Sequence, residues 1–244
     1  ILCSSLDPFV NQIECAITDN LYQNIENLYS ENKKIDDKRI NIGGDHSMAI
    51  ATVSDSLEKY GNNLKVIWMD AHCDINTYKS SPTKNYHGMP LSILTGLDLN
   101  TRGLFKFLKS KPFLKFENIL YLGIRDIDPF EEEVLHKYKI KYINVNEINN
   151  FTYNSLNQIE DFVGNNPIHL SFDVDVVDPF YIPSTGTPVG EGINLESAGI
   201  LLNNIMKYNL VSMDITELNL AIGNKEDKLK SLNNVRHLMK GIVN

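Results

Sequence analysis

The sequence predicts an α/β chain in three layers, with helices on both faces of a mainly parallel central sheet. Three observations carry that prediction. Short apolar runs alternate with segments of helical spacing along the chain. The run LKVIWMD is continuously apolar, as a strand covered on both faces would be. Acidic and histidine residues gather where strands end, and open α/β sheets bind ligands outside the carboxyl ends of their strands.

The elements follow in order. Residues 6–30 have helical spacing, and KRINIGG reads as a short strand entering a glycine turn. SMAIATVSDSLEKY is a helix and LKVIWMD the next strand. Residues 75–87 form a polar loop containing Pro82, and a helix starts near Met89. ENILYLGI is a strand, DPFEEEVLHKY a helix and KYINV a strand. Residues 152–164 are helical, and PIHLSFDVD is a strand. NLESAGILLNNIMKY is a helix, LVSMDIT a strand, and residues 226–242 a closing helix. No linker or internal repeat divides this series, so residues 1–244 read as one domain.

Composition narrows the class. Hydrophobic residues make up 42% of the 244 and charged residues 22%, which is ordinary globular usage. A net charge of −8 with no basic stripe argues against general nucleic-acid binding. No apolar run reaches the length of a membrane span. Cys3, Cys15 and Cys73 have neither disulfide nor zinc spacing, which points to a reducing compartment, the cytoplasm. The opening ILCSSLDPFV lacks a basic n-region and meets Asp7 early, so it is a poor signal peptide.

The chemistry begins at DAHCDINTYK, residues 70–79. In an extended segment alternate side chains share a face, so Asp70, His72 and Asp74 point the same way and Cys73 turns away. Other strand ends add His46, then Asp173 with Asp175, then Glu217. Four aspartates and two neutral histidines carry four negative charges, which two divalent ions would neutralise. Mixed oxygen and imidazole donors without thiolate suit Mn²⁺, with Zn²⁺, Fe²⁺ or Co²⁺ as alternatives. Two ions of this kind lower the pKa of a shared water towards neutrality.

These motifs resemble the ureohydrolase family, and within it the arginases. The resemblance rests on GGDHS at 43–47, DAHCDIN at 70–76, NYHGMP at 85–90, SFDVDVVDP at 171–179, TGTPV at 185–189 and MDITELN at 213–219. It runs in order from about Lys38 onwards and implies the arginase/deacetylase-like fold. The part before Lys38 matches less well and reads as lacking the family's first strand. The resemblance implies that His46, Asp70, Asp74 and Asp173 bind one manganese. It gives the second manganese to Asp70, His72, Asp173 and Asp175, so that Asp70 and Asp173 bridge. It makes His87 the proton carrier near the leaving amine, Asp175 the group that orients the nucleophile, and Glu217 the partner of the substrate guanidinium. Asn76, Thr83 and Asn85 fall where arginases hold the α-carboxylate, Asp128 and Glu131 where they hold the α-amino group, and Thr187 close to the site.

The implied reaction is hydrolysis of L-arginine to L-ornithine and urea, in a cytoplasmic homotrimer. The alternatives are a ureohydrolase acting on agmatine or guanidinobutyrate, and a catalytically silent metal-binding paralogue. Two positions depart from the arginase pattern. Lys84 stands where a glycine is usual, in a turn that favours positive φ, and Val176 replaces a glycine after the second aspartate pair. Asp128 also has a local reading, as the N-cap of a helix.

Overall fold

A computed structural model describes residues 14–241. Its sheet has six strands, all parallel: β1 (Arg39–Ile42), β2 (Lys65–Met69), β3 (Ile119–Leu122), β4 (Lys141–Ile143), β5 (Ile168–Asp173) and β6 (Leu210–Thr216). They lie in the order β1-β6-β5-β2-β3-β4. The helices are α1 (Leu21–Asn32), α2 (Ala49–Tyr60), α3 (Pro90–Thr95), α4 (Leu99–Arg102), α5 (Pro129–Tyr138), α6 (Val145–Asn150), α7 (Thr152–Val163), α8 (Leu195–Ile205) and α9 (Lys225–Leu238).

The expected three layers are present. One sheet face presents Ile67, Met69, Leu170, Phe172, Met213 and Ile215 to α6, α7, α8 and α9. In such a core, cutting back a residue like Phe172 to alanine costs about 3–5 kcal/mol. The other face meets α2, α3 and α5 through Val66, Trp68, Ile119 and Tyr121. That face also carries a stripe of polar residues. Register places Asn41, Asp214, Ser171 and Trp68 in one row, and Arg39, Ser212, His169 and Val66 in the row before it.

Several elements differ from the sequence expectation. The first helix does not span 14–20: α1 begins after Asn20, whose side chain accepts from Gln23 N–H and caps the helix. Residues 6–13 of that expected helix lie outside the described residues. The helix near Met89 is short, because Gly96 takes φ 77° and ends it. A separate helix, α4, then starts on Asp98, whose side chain accepts from Thr101 N–H. Asn144 caps α6, which the sequence pattern had not marked. The closing helix ends at Leu238 and continues as a 3₁₀ turn, Met239–Gly241, while residue 242 lies outside the described residues.

Candidate active site

Because β1, β6, β5 and β2 are neighbours, their carboxyl ends form one rim. His46 arrives there through a tight turn after β1. A side chain at Gly43 would displace the end of the Met48 side chain, which lies over this turn. Asp45 accepts from Ser47 N–H and starts the His46–Met48 turn. Asp70 follows β2 directly. Asp173 ends β5 and accepts from Asp175 N–H, which turns Asp175 back towards the rim. The extended geometry expected for residues 70–74 does not hold throughout. β2 ends at Met69, and Asp74 joins the cluster from a left-handed backbone at φ 51°. Cys73 does face away, buried among apolar side chains.

The six residues converge. His46 Nδ1 lies 2.9 Å from Asp70 Oδ2, 3.1 Å from Asp74 Oδ2 and 3.2 Å from Asp173 Oδ2. His72 Nδ1 lies 3.4 Å from Asp70 Oδ1 and 3.1 Å from Asp175 Oδ2. Two groups able to hold a cation result, His46–Asp70–Asp173 and Asp70–His72–Asp175, and they share Asp70.

The fit to a cation rests on one atom and one charge count. His46 Nδ1 is buried and makes no well-formed hydrogen bond, although three carboxylates face it. Its other nitrogen, Nε2, pairs with Ser171 Oγ at 2.7 Å. Burial opposes a charge on this ring, yet Asp173, Asp70 and Asp74 raise its pKa well above the ordinary value, so a proton holds the place a divalent cation would take. Side chains alone leave the cluster short of positive charge, and its basicity shows it. Asp74 is pushed up to about 6, first by burial and then by Asp70. Burial, then Asp175 and Asp70, drive Asp173 well above the usual carboxylate range. Burial opposes a charge on His72, yet Asp175 and Asp70 outweigh it and push His72 up to about 12. Divalent cations would displace those protons, so affinity for them should rise with pH.

Beside this cluster stands a second pair. Glu217 leaves β6 with φ 62°, an uncommon conformation for a side-chain-bearing residue. Its Oε1 accepts from His46 N–H at 2.9 Å and lies 3.3 Å from His87 Nδ1. The bond to Glu217 raises the His87 pKa, against the opposing effect of burial. His87 is half-buried, so its ring reaches both the carboxylate and solvent.

The residues expected to hold substrate fall in three places. Asn76 is buried and donates through Nδ2 to Asp128 Oδ2 at 2.8 Å. Thr83 and Asn85 stand on the exposed loop before His87. Lys84 between them takes φ 63°, as the departure from glycine foretold, and its ammonium donates to the carbonyls of Tyr78 and Lys79. Asp128 is indeed the N-cap of α5. Glu131 is buried beneath it, accepting from Ile75 N–H at 3.1 Å and from Asp128 N–H at 3.1 Å. Burial pushes Glu131 up to about 7. Thr187 Oγ1 donates to Asp175 Oδ2 at 3.4 Å. The cavity of about 540 Å³ between α5, β4 and α7 contains none of these residues.

Sequence reasoning missed the residues that steady the cluster. Trp68 stacks on His46 at 4.1 Å and donates through Nε1 to Asp70 Oδ2 at 2.9 Å. Ser171 orients His46, and Thr216 Oγ1 lies 3.4 Å from Asp173 Oδ2. Arg125 spends its guanidinium on the carbonyls of Gly123, Asp175, Val176, Val189 and Gly190, which ties the Asp175 turn to the Thr187 loop. The signal for Trp68 and Ser171 was present, since each sits two residues before an aspartate on the same strand face.

Comparison with known proteins points to one family. The arginase of Neurospora crassa is 38% identical over 196 residues, covering 77% of this chain and 55% of that protein. The arginase of Plasmodium berghei is 42% identical over 186 residues, covering 74% of this chain and 52% of its own length. The chain thus spans about half the length of these two relatives. The hepatic arginase of Aquarana catesbeiana is 34% identical, with 92% of this chain and 71% of that protein covered. Among solved structures, arginase from Bacillus subtilis superposes with a TM-score of 0.84 at 27% identity, covering 96% of this chain and 83% of that one. Entamoeba histolytica arginase in complex with L-ornithine gives 0.80 at 28%, covering 94% and 81%. The arginase family model matches residues 3–235, which include every residue of the cluster. By that match, which spans most of its length, the chain belongs to the arginase family.

Proposed function

We propose that this chain hydrolyses the guanidinium group of L-arginine to L-ornithine and urea at a centre of two manganese ions. The observation that carries this reading is the pair of ligand groups sharing Asp70, set beside the His87–Glu217 pair. His46, Asp70, Asp74 and Asp173 would hold one ion. His72, Asp70, Asp173 and Asp175 would hold the other, with Asp70 and Asp173 bridging. Two divalent charges balance four carboxylates, and oxygen and imidazole donors suit manganese. When bound, such ions supply Lewis acidity and lower the pKa of a water they share.

The remaining work falls to side chains. Glu217 accepts from the guanidinium N–H groups in a charge-assisted pair and keeps the reacting carbon in register. Asp175 accepts a hydrogen bond from the attacking water and aims it. His87, its proton stabilised by Glu217, donates to the departing amine. Asn76, Thr83 and Asn85 receive the α-carboxylate, and Asp128 with Glu131 the α-ammonium. Thr187 donates a hydrogen bond to the Asp175 carboxylate. The structural relative from Entamoeba histolytica is a complex with L-ornithine, the product this reading requires.

Urea release from arginine, agmatine and guanidinobutyrate after manganese loading tests the proposal. Arginine should lead by at least about tenfold in kcat/KM, roughly 1.4 kcal/mol, because a site built for its polar groups leaves them unpaired with the others. A lead for agmatine would favour the related ureohydrolase. Bound manganese without urea from any substrate would identify a silent paralogue. His87→Asn should keep both ions while losing about 10²–10⁴-fold in kcat. No helix among the described residues is long and apolar enough to cross a membrane. The same reading extends to a cytoplasmic homotrimer, which sedimentation would test.

A further inference from the structure

The turn that presents His87 has little to hold it locally. Tyr86–Gly88 is a single 3₁₀ turn whose N-cap, Asn85, contributes no side-chain bond. Its backbone bonds are Gly88 N–H to Asn85 O at 3.3 Å and Met89 N–H to Tyr86 O at 3.1 Å within the turn, and Asn76 N–H to Gly88 O at 3.2 Å from outside it. One isolated turn is not stable by itself, so tertiary contacts must fix it. The Tyr86 side chain, between Asn85 and His87, supplies one. Its hydroxyl lies 2.7 Å from the hydroxyl of Tyr22, in the first turn of α1. The two rings meet edge to face at 5.9 Å, and Phe105 packs against both.

Tyr22 itself is 36% exposed, and the segment that carries it is held at several points. Thr18 N–H and Oγ1 both donate to Asn24 Oδ1, at 2.7 and 2.9 Å, and Asn24 Nδ2 donates back to Thr18 O. Seven residues beyond Tyr22, on the same helix face, Tyr29 stacks on Phe107 and donates to Glu58 of α2. Ile25 lies between them in a small core with Ile50, Met89 and Ile93. α1 therefore rests on α2, just beyond the His46 turn, and on the start of α3, just beyond His87.

We infer that the Tyr22–Tyr86 hydroxyl pair is a positioning contact through which α1 fixes the turn carrying Asn85 and His87. The inference rests on the proposed function only where it concerns turnover. Neither tyrosine touches the reacting atoms; the pair acts through the backbone of residues 85–88.

Tyr22→Phe tests this, since it keeps the ring against Phe105 and removes only the hydroxyl. Amide exchange of residues 85–88 should quicken about three- to tenfold, in metal-free and manganese-loaded protein alike. kcat/KM for arginine should fall by a similar factor. Tyr86→Phe should reproduce both losses, and the double variant should lose no more than either single one. Ile159→Ala, in the core on the opposite face of the sheet, is the packing control: it should lower the unfolding midpoint without quickening exchange at 85–88. Unchanged exchange in Tyr22→Phe, or losses that add in the double variant, would overturn the inference. Wild-type protein releasing no urea from arginine would remove the proposed function, while the exchange measurement would still decide the tether.

Discussion

One polar stripe runs along the α2 face of the sheet, and its two ends behave differently. At the inner end, Arg39 pairs with Asp55, and His169 Nε2 lies 3.0 Å from Asp214 Oδ2. Asp214 also accepts from Asn41 and Thr52, and His169 Nδ1 meets Ser56 Oγ. There each buried carboxylate has a cationic or hydrogen-bonding partner. At the outer end, on the same faces of β5 and β2, four buried carboxylates and the exposed Asp126 face two imidazoles, with no lysine or arginine ion pair among the described residues. The difference teaches where function sits. Burying charge-balanced groups holds the chain in one arrangement; burying excess negative charge, even where it is hydrogen-bonded, costs stability until something positive arrives. Backbone strain follows the same division. Asp74, Lys84 and Glu217 take positive φ at the outer end, and no member of the inner network does.

The largest effect should come from removing a shared ligand at the open end. On the proposed function manganese should stabilise the wild-type protein, by about 2.7 kcal/mol at one hundred times Kd, and Asp70→Asn should abolish that gain. Urea production should fall by about 10³-fold or more, the scale of several kcal/mol of lost metal assistance. Elemental analysis still giving two ions per chain in that variant would break the contrast.

At the closed end the loss should be in stability instead. Asp214→Asn weakens the hydrogen bonds from His169, Thr52 and Asn41, and denaturant titration should show a loss of about 1–3 kcal/mol. Metal stoichiometry should be unchanged. The Asp214 pKa is lowered: burial alone would raise it, but His169, Thr52 and Asn41 more than compensate. A lowered folded-state pKa means that its contribution is present above the unfolded carboxylate range, near pH 4, and is lost as pH falls below it. The acid limb of the stability curve should therefore be shallower in Asp214→Asn. An acid limb of wild-type steepness would show that Asp214 is not a linked group.

Between the two ends lies Ser171, two residues after His169 and two before Asp173 on the same face of β5. Ser171→Ala removes the partner that holds His46 Nε2, and calorimetry should show manganese binding weaker by about 10–100-fold. Unchanged affinity would mean that Trp68 stacking alone orients the ring.

The smallest effect tests strain at the rim. Lys84→Gly should be more stable than Lys84→Ala by about 1 kcal/mol, because only glycine takes φ 63° without cost. Equal midpoints would show that the turn relaxes once the lysine is gone.

By itself the sequence determined the alternation of strands and helices, and with it the layered sheet. Hydrophobic period is a local property, written in runs such as VIWM. It also exposed the six residues of the cluster, since ligand-type residues at strand ends are rare enough to stand out. Caps and short helices were less legible. Whether Asn20, Asp98 or Asn144 opens a helix depends on which nearby N–H its side chain meets, and asparagine is common throughout this chain. Tertiary structure decided the rest. Only the strand order places the ends of β1, β6, β5 and β2 on one rim. Only the fold turns Asp74 inward through a left-handed residue, engages both Glu131 oxygens with backbone N–H groups, and sets Tyr22 against Tyr86 across 64 residues. Those contacts join residues far apart in the chain. Their energies depend on distance and burial, which no local pattern encodes.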